Sequence, residues 1–572
     1  MAQKPIKKPD KILVYALLLI AAFSFRAAVA RLLPNDEPFD SQVYSQIARN
    51  LIQQQIYSYA TEQPYEPTLV RLPGYPLFLA GVYSLFGLDD NMSVRIVQSL
   101  IDTLSCGLIA LIAFLWEPDP KLKRSTSIGA LALAALCPFT AIYVSTILPE
   151  TLTIFFSLAM CALATFAFKA TSQKHAALFW GATGLLAGIG VLFRPDSGLF
   201  AAAIGLTLVI TTLVRTSDAP RAKKRDELLH RFERVSYLGA LFSLAFCLVL
   251  VPWTIRNFRT FQMFQPLAPV HAEMPDEFVP RGYFSWLRTW VDDSRYIGPV
   301  IWALDELPIK LDDIPDGAFD SAEEKQAVAA LLEKYNHPPK EPGEVPAGDG
   351  SEMEPDALDD QMNQKEGSEP GPEDDETAPA EEGTQPNPSQ DDLPVNPGDP
   401  PVVSSSDQSP DDSLSQAVQM TPEIDAGFAR IAKERVGRSP LRYYLLLPAR
   451  RAITLWFDTH SQYYPFEGEL LPMQNLDPKR QQQFWLPLFA GLTFVFTMLG
   501  ILGAGVLWQT RESIARQWLL LAALLIFLRI AFFASLENPE PRYTVELFPF
   551  LSILGGIALT RILAEIRIKA AR

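Results

Sequence analysis

Ile12-Leu13-Val14-Tyr15-Ala16-Leu17-Leu18-Leu19-Ile20-Ala21-Ala22-Phe23-Ser24-Phe25-Arg26-Ala27-Ala28-Val29-Ala30-Arg31-Leu32-Leu33 is followed at once by Pro34-Asn35-Asp36-Glu37-Pro38-Phe39-Asp40-Ser41-Gln42-Val43-Tyr44. The first stretch is long and apolar enough to cross a bilayer, which takes about 20 residues of helix. The second delivers the carboxylates of Asp36, Glu37 and Asp40 to the end of that span, where a lipid headgroup lies.

The pattern repeats along the chain. Candidate spans fall at 12–33, 93–116, 127–147, 151–168, 177–194, 196–214, 236–256, 484–508, 517–535 and 543–563. Two further apolar stretches, 72–87 and 441–457, are short or interrupted and read as helices lying in the interface. In the second of these, Arg450 and Arg451 are placed to reach toward phosphate. The fold class expected is an all-α polytopic membrane protein of ten transmembrane helices.

Lysine and arginine mark alternate loops. They crowd the N-terminus (Lys4, Lys7, Lys8, Lys11) and the loops with Lys121, Lys123 and Arg124, with Lys169 and Lys174, with the basic residues of 215–234, and with Arg511 and Arg516. The tail carries Arg561, Arg567, Lys569 and Arg572. Basic loops stay cytoplasmic, so both termini are expected there, in a bacterial plasma membrane. The loops at 34–92, 148–150, 194–196, 257–483 and 536–542 then face outward. Ala28-Val29-Ala30 has the form of a signal-peptidase site, but Arg26 ahead of it and the unbroken charge alternation favour a retained span.

The formal net charge of −16 is local in origin. Residues 341–420 hold 22 acidic residues against one lysine, and 13 prolines without an aromatic, so the rest of the chain is net +5. Such a stretch buries too little apolar surface to offset its chain entropy. It reads as a disordered spacer over 338–420, interrupting an outer domain. The division expected is 1–256 as a membrane catalytic module with its outer loop 34–92, then 257–337 and 421–483 as the two parts of the outer domain, and 484–572 as a closing membrane module. The four cysteines lie singly in apolar runs and read as small buried residues. The five histidines form no HExxH or other metal spacing, and no Walker or GxGxxG sequence supports a soluble nucleotide donor.

Asp40 begins an amphipathic segment in which Tyr44, Ile47, Ala48 and Leu51 share one face. Two readings stand for Asp40: a helix cap or a general base, with Asp36 and Glu37 close enough to perturb it. Arg71, entering Leu72-Pro73-Gly74-Tyr75-Pro76, is either a solvated loop cation or a phosphate ligand. Glu150, between two apolar runs, is a candidate site residue, since a carboxylate at a membrane boundary is costly without a partner. Asp102, mid-span, reads as a polar contact between helices. Arg194, Arg256 and Arg542 with Tyr543 each stand at an outward span end, where converging cations either anchor the interface or hold phosphate.

The order of these motifs resembles the GT-C polytopic glycosyltransferases. The order is one span, an outer Asp-x-x-x-Tyr helix, an arginine and a Pro-Gly-Tyr-Pro interfacial segment, and Glu before the fourth span. Arg-Pro then follows the fifth, Pro-Trp-Thr-Ile-Arg-Asn ends the seventh, and Arg-Tyr precedes the last. It resembles most the dolichyl-phosphate-mannose-protein mannosyltransferase-like family, and also the lipid A aminoarabinose transferases. The resemblance covers 1–260 and 440–563; residues 258–440 align with nothing in the family.

It implies transfer of a hexose or pentose from a polyprenyl-phosphate donor to a hydroxyl acceptor on a protein, lipid or glycan, with inversion and with no cofactor or metal. Asp40 would then activate the acceptor and Glu150 would be the second acidic residue. Arg71, Arg542, Tyr543 and Arg256 would bind the donor phosphate, with Asp36, Glu37, Tyr44 and Arg194 as secondary candidates. The alternative is a transporter or flippase of a lipid-linked or polar substrate. Charges gathered at one surface, without an internal repeat, fit that reading less well.

Overall fold

Ten apolar runs need ten helical solutions, because backbone in hydrocarbon must satisfy its own hydrogen bonds. The computed structural model describes residues 11–35, 39–214, 221–269, 277–338, 418–466, 480–510 and 512–571. Among these, nine helices are long and apolar enough to span a membrane, ten if one bent pair is a single span. They are α1 (Lys11–Leu32), α4 (Asn91–Trp116), the bent pair α5 (Lys123–Ala135) with α6 (Pro138–Ala141), α7 (Glu150–Lys169), α8 (Gln173–Phe193), α9 (Gly198–Leu213), α10 (Arg221–Phe261), α15 (Arg480–Gln509), α16 (Ser513–Ala534) and α17 (Phe548–Ala571). No β-strand occurs among the described residues. The chain is a multi-pass, all-helical membrane protein.

The bend between α5 and α6, 51°, follows from Cys137-Pro138. The proline supplies no N–H and breaks the ladder. Arg26 of α1 meets the break: its guanidinium donates to the Ala134 and Ala135 carbonyls, each at 3.1 Å. Its Nε pairs with Asp102 of α4 at 2.5 Å, both side chains buried. Asp102 is thus the interhelical contact its position suggested.

Close approach of helices rests on glycine. A Cβ on Gly503 of α15 would meet the Leu554 carbonyl of α17 at 2.0 Å, and one on Gly184 of α8 the Phe242 carbonyl of α10 at 2.1 Å. Small residues at such crossings let backbones pack. Gly503→Leu is expected to lower the thermal unfolding temperature of the purified chain markedly. Gly505→Ala, with open space around the added carbon, leaves it unchanged. Equal melting curves for the two variants would show that this crossing bears no weight.

α10 differs from expectation. The span read at 236–256 is the middle of one 41-residue helix, whose start takes up part of the basic loop and whose last turns contain Pro252. Cys247 on it is exposed, whereas Cys106, Cys137 and Cys161 are buried as predicted.

Between the spans lie α2 (Phe39–Gln53) and α3 (Gly74–Phe86). Tyr44, Ile47 and Ala48 are buried along one face of α2, as their spacing predicted. α3 buries Tyr75, Leu79 and Tyr83 and exposes Leu77, Leu85 and Phe86, as an interfacial helix does.

An outer layer contains α11 (Arg281–Leu287), α12 (Ala322–Asn336) and α13 (Pro422–Arg438). One apolar cluster, with Tyr283, Trp286, Trp290, Val328, Leu332 and Phe428, joins segments from both sides of the acidic stretch. The Tyr283 N–H donates to Asp425 at 2.8 Å across that gap. The expected spacer lies outside the described residues except at its ends. There Val418 and Met420 are buried and the Met420 N–H donates to Asp305 at 2.6 Å.

α14 (Leu447–Phe457) continues from a π-helical turn, Arg442–Leu446, and packs on α16. Its arginines do not reach for phosphate as expected. Arg451 is buried and donates to the Arg288 and Val291 carbonyls, each at 2.6 Å, and Arg450 meets Asp292 at 3.3 Å. Arg451 is spent on seating the outer layer, while the Arg450 side chain stays 60% exposed.

Candidate active site

The connector 145–149 brings the first buried carboxylate into place. Two side chains of α4 hold it: Arg95 Nε donates to the Ser145 carbonyl at 2.9 Å and Gln98 Nε2 to the Thr146 carbonyl at 2.8 Å. Gln98 in turn accepts from the Tyr75 hydroxyl of α3 at 2.9 Å. A single parallel bridge ties Asn35, just past α1, to Thr146. The connector delivers Glu150 as the first residue of α7, 2 % exposed.

Arg194 ends α8 because Pro195 follows it, and its side chain turns back to three carboxylates. Its nitrogens lie 2.8 Å from Glu150, 3.1 Å from Asp196 and 3.4 Å from Glu546. Arg529, from the middle of α16, meets Asp196 and Glu546 from the other side, each at 2.7 Å. Opposite charges so close are what make this burial tolerable.

Asp40, in the first turn of α2, is ion-paired with Arg71 and lies 3.7 Å from Arg542. Its carboxylate is therefore held by arginines. Burial works to raise its pKa, but Arg71 and Arg542 outweigh that and hold it below the usual carboxylate value. Arg542 also reaches Glu540 at 3.0 Å, and its Nη1 donates to the Tyr463 hydroxyl at 3.3 Å. Gln462 Nε2 donates to Glu540 at 2.7 Å. The Tyr543 ring stacks on Phe533 at 4.4 Å and lies beneath the Arg194 and Arg542 guanidiniums. Tyr44 lies in the same way beneath Arg71.

The late loop that carries Arg542 is set from below. The Thr544 hydroxyl donates to the Leu455 carbonyl at 2.8 Å, so it accepts from His460 Nε2–H at 2.9 Å. His460 Nδ1 is left without a partner, and burial pushes the imidazole down to about 4, so it is neutral.

Asp40, Glu150, Arg71, Arg194, Arg542 and Tyr543 thus come to one end of the bundle. Arg256, expected among the phosphate ligands, turns to the backbone of the first loop. Its guanidinium donates to the Thr68 carbonyl at 3.0 Å and the Tyr57 carbonyl at 3.3 Å, with the Tyr57, Trp253 and Phe261 rings around it. Since the Tyr57 hydroxyl donates to the Arg71 carbonyl at 2.9 Å, Arg256 supports Arg71 from behind. Asp36 and Glu37 lie outside the described residues.

Sequence reasoning gave no role to Asp196, Arg529, Glu540, Glu546, Gln462, His460 or Tyr463. Arg529 did carry a signal, a lone cation inside an apolar run; Tyr463 and His460 carried none.

Five carboxylates face four guanidiniums here, and several buried polar atoms have no partner: Ser41 Oγ, Glu150 Oε2, Ser197 Oγ, Gln462 Oε1 and Asn538 Oδ1. Buried polar groups are ordinarily satisfied, so this end is shaped for a polar occupant. Among the described residues, no three His, Cys, Asp or Glu side chains converge as metal ligands would.

Residues 66–253 match the family model of dolichyl-phosphate-mannose-protein mannosyltransferase. The family resemblance read from the motifs therefore holds over about a third of the chain. Three solved structures are similar in part. The Archaeoglobus fulgidus oligosaccharyltransferase, tethered with an acceptor peptide, is 12% identical with a TM-score of 0.46, over 97% of this chain. This chain spans about half the length of that protein, 50%. ArnT from Cupriavidus metallidurans bound to undecaprenyl phosphate is 13% identical, with a TM-score of 0.32, over 96% of this chain and 77% of that one. Its apo form is 14% identical with the same score and coverage. At these scores the overlaps carry no argument about substrate or mechanism. No curated protein matches the chain.

Proposed function

We propose that this chain is a membrane glycosyltransferase that moves one sugar from a polyprenyl-phosphate carrier to a hydroxyl acceptor at the outer surface of a bacterial inner membrane. The reading is carried by one observation: a carboxylate, Asp40, set between two arginines, Arg71 and Arg542, beside the buried Glu150–Arg194 pair. Residues 1–256 and 484–572 supply this chemistry, and the outer layer covers it.

The acceptor oxygen attacks the anomeric carbon. The bond from that carbon to the phosphate oxygen breaks, its electron pair stays on the phosphate, and the configuration inverts. The acceptor proton passes to Asp40 and from there to solvent. Arg71 and Arg542 hold the charge that develops on the phosphate. Glu150 Oε2, which no protein group hydrogen-bonds, accepts from a sugar hydroxyl.

Both arginines are occupied by carboxylates until the donor arrives. A phosphate that draws them away from Asp40 removes the interaction that depresses its pKa, so the donor itself makes Asp40 a better base. The sign follows. In the free enzyme Asp40 stays ionised as pH falls until its depressed pKa is reached. In the donor complex the protonation comes at higher pH. The acid limb of kcat is expected to lie at higher pH than that of kcat/KM, since the two report the bound and the free enzyme. Coincident limbs would show that donor binding leaves the Asp40 pairing intact.

The founding test is release of polyprenyl phosphate from a panel of radiolabelled polyprenyl-phosphate sugars by the purified chain, with and without envelope acceptor. Acceptor-dependent release supports the reading and names the donor. No release from any donor by folded protein overturns it in favour of transport.

A further inference from the structure

Arg542 has a second side. Its Nη1 faces Asp40 at 3.7 Å. Its Nε lies 3.0 Å from Glu540 Oε2, yet neither atom makes a hydrogen bond among the described residues. The other Glu540 oxygen, Oε1, accepts from Gln462 Nε2 at 2.7 Å. An ionised carboxylate only accepts, so this bond fixes the Gln462 amide: its nitrogen faces Glu540 and its Oε1 faces away. No described group hydrogen-bonds to that buried Oε1. Two free acceptors, Glu540 Oε2 and Gln462 Oε1, therefore stand on one hydrogen-bonded pair. Beside them the Tyr463 hydroxyl accepts from Arg542 Nη1 at 3.3 Å, which leaves its own O–H to donate. Burial pushes this phenol up from its usual value, against the pull of Arg542, so the proton stays in place at neutral pH.

The three side chains are held from behind. Glu540 is 3 % exposed and directly precedes the turn Pro541–Leu547 that carries Arg542. Gln462 and Tyr463 follow α14 in a segment pinned on both sides. His460 Nε2 donates to Thr544, the Tyr464 hydroxyl donates to the Pro138 carbonyl at 2.8 Å, and the Tyr463 ring meets Tyr143 edge-on at 5.4 Å. Groups fixed in this way discriminate between ligands, because they do not rearrange to suit each one. Buried acceptors without a donor are costly, and a ligand rich in O–H groups relieves that cost.

A donor phosphate that draws Arg542 off Asp40 draws it off Glu540 and Tyr463 as well. The sugar on that phosphate then lies against the groups that Arg542 has left. We infer that Glu540, Gln462 and Tyr463 select the transferred sugar: two neighbouring sugar hydroxyls donate to Glu540 Oε2 and Gln462 Oε1, and the Tyr463 hydroxyl donates to a third sugar oxygen. This assignment rests on the polyprenyl-phosphate donor proposed above. A sugar with its own carboxylate meets Glu540 as a like charge and is refused.

The test measures binding and so does not depend on turnover. The purified full chain is titrated with bare polyprenyl phosphate and with polyprenyl-phosphate glucose, mannose, galactose, xylose and glucuronic acid. Each sugar is scored by its Kd relative to the bare lipid. Wild type is expected to bind at least one neutral sugar lipid about tenfold tighter than the bare lipid, the worth of one good hydrogen bond to a charged group, and the glucuronic acid lipid no tighter. Gln462→Met and Glu540→Gln keep the side-chain length and are expected to abolish that preference, while bare polyprenyl phosphate binds as before or tighter. Melting curves show which variants fold, and either one alone carries the test. A preference kept by a folded variant, an equal loss for bare and sugar-bearing lipid, or a wild type that tells no sugar lipid from the bare one overturns the assignment and leaves the transfer reading standing. Wild type that binds no polyprenyl phosphate of any kind overturns both.

Discussion

Asp40→Asn is expected to reduce transfer by about 10²- to 10⁴-fold, the range a positioned general base contributes, while donor lipid still binds. The substitution keeps the shape of the side chain and a hydrogen-bond acceptor for Arg71, but removes the charge and the basicity. Arg71 and Arg542 lose a counter-ion and become freer to hold the donor phosphate, so donor affinity is expected to hold or rise. The two effects separate the proposed role from a structural one. A carboxylate that served only to position Arg71 would, when neutralised, weaken donor binding and lower the melting temperature rather than reduce turnover at saturating donor. The measurements are kcat and KM for sugar transfer, and donor binding at equilibrium. Full turnover by the variant would remove Asp40 from the mechanism.

Arg529→Leu is expected to have the largest effect on stability. The Arg529 side chain is fully buried and sits 2.7 Å from both Asp196 and Glu546. Removing it leaves three buried carboxylates, Glu150, Asp196 and Glu546, sharing Arg194. Breaking a buried ion pair by deleting one partner costs about 3–5 kcal/mol. Because Arg194 then turns from Glu150 toward Asp196 and Glu546, activity falls as well. The double variant Arg529→Leu, Glu546→Leu replaces a buried pair by apolar side chains and is expected to recover much of the stability. Thermal unfolding followed by tryptophan fluorescence decides it. A single variant as stable as wild type would mean the network adds nothing to the fold.

The fold was legible because bilayer thickness leaves so few choices. Runs such as Ile12 to Leu33 must be helices, and they are. The candidate site was legible where a charge interrupts an apolar run at its end, as at Glu150 and Arg194, and where one begins or precedes an amphipathic outer segment, as at Asp40 and Arg71. The same rule placed Arg256 among the phosphate ligands. Its side chain instead turns to the backbone of the first outer loop, a choice made by Tyr57 and Trp253 packing around it. Arg450 and Arg451 were misread for a similar reason. An arginine at an interface can serve a phosphate or a carbonyl, and only the presence of α11 above α14 determines which.

By itself, then, the sequence determined where the spans fall, the amphipathic face of α2 and the unusual composition of 341–420. All of these follow from local periodicity, apolar length and net charge. Pairing was decided by tertiary structure alone. Asp40 meets Arg542 across 502 residues and Asp196 meets Arg529 across 333, and no local rule selects one arginine among many. Ion pairs buried at a bundle's end depend on which helices come together there, and that is settled by close crossings such as Gly503 on α17 and by the bend at Pro138.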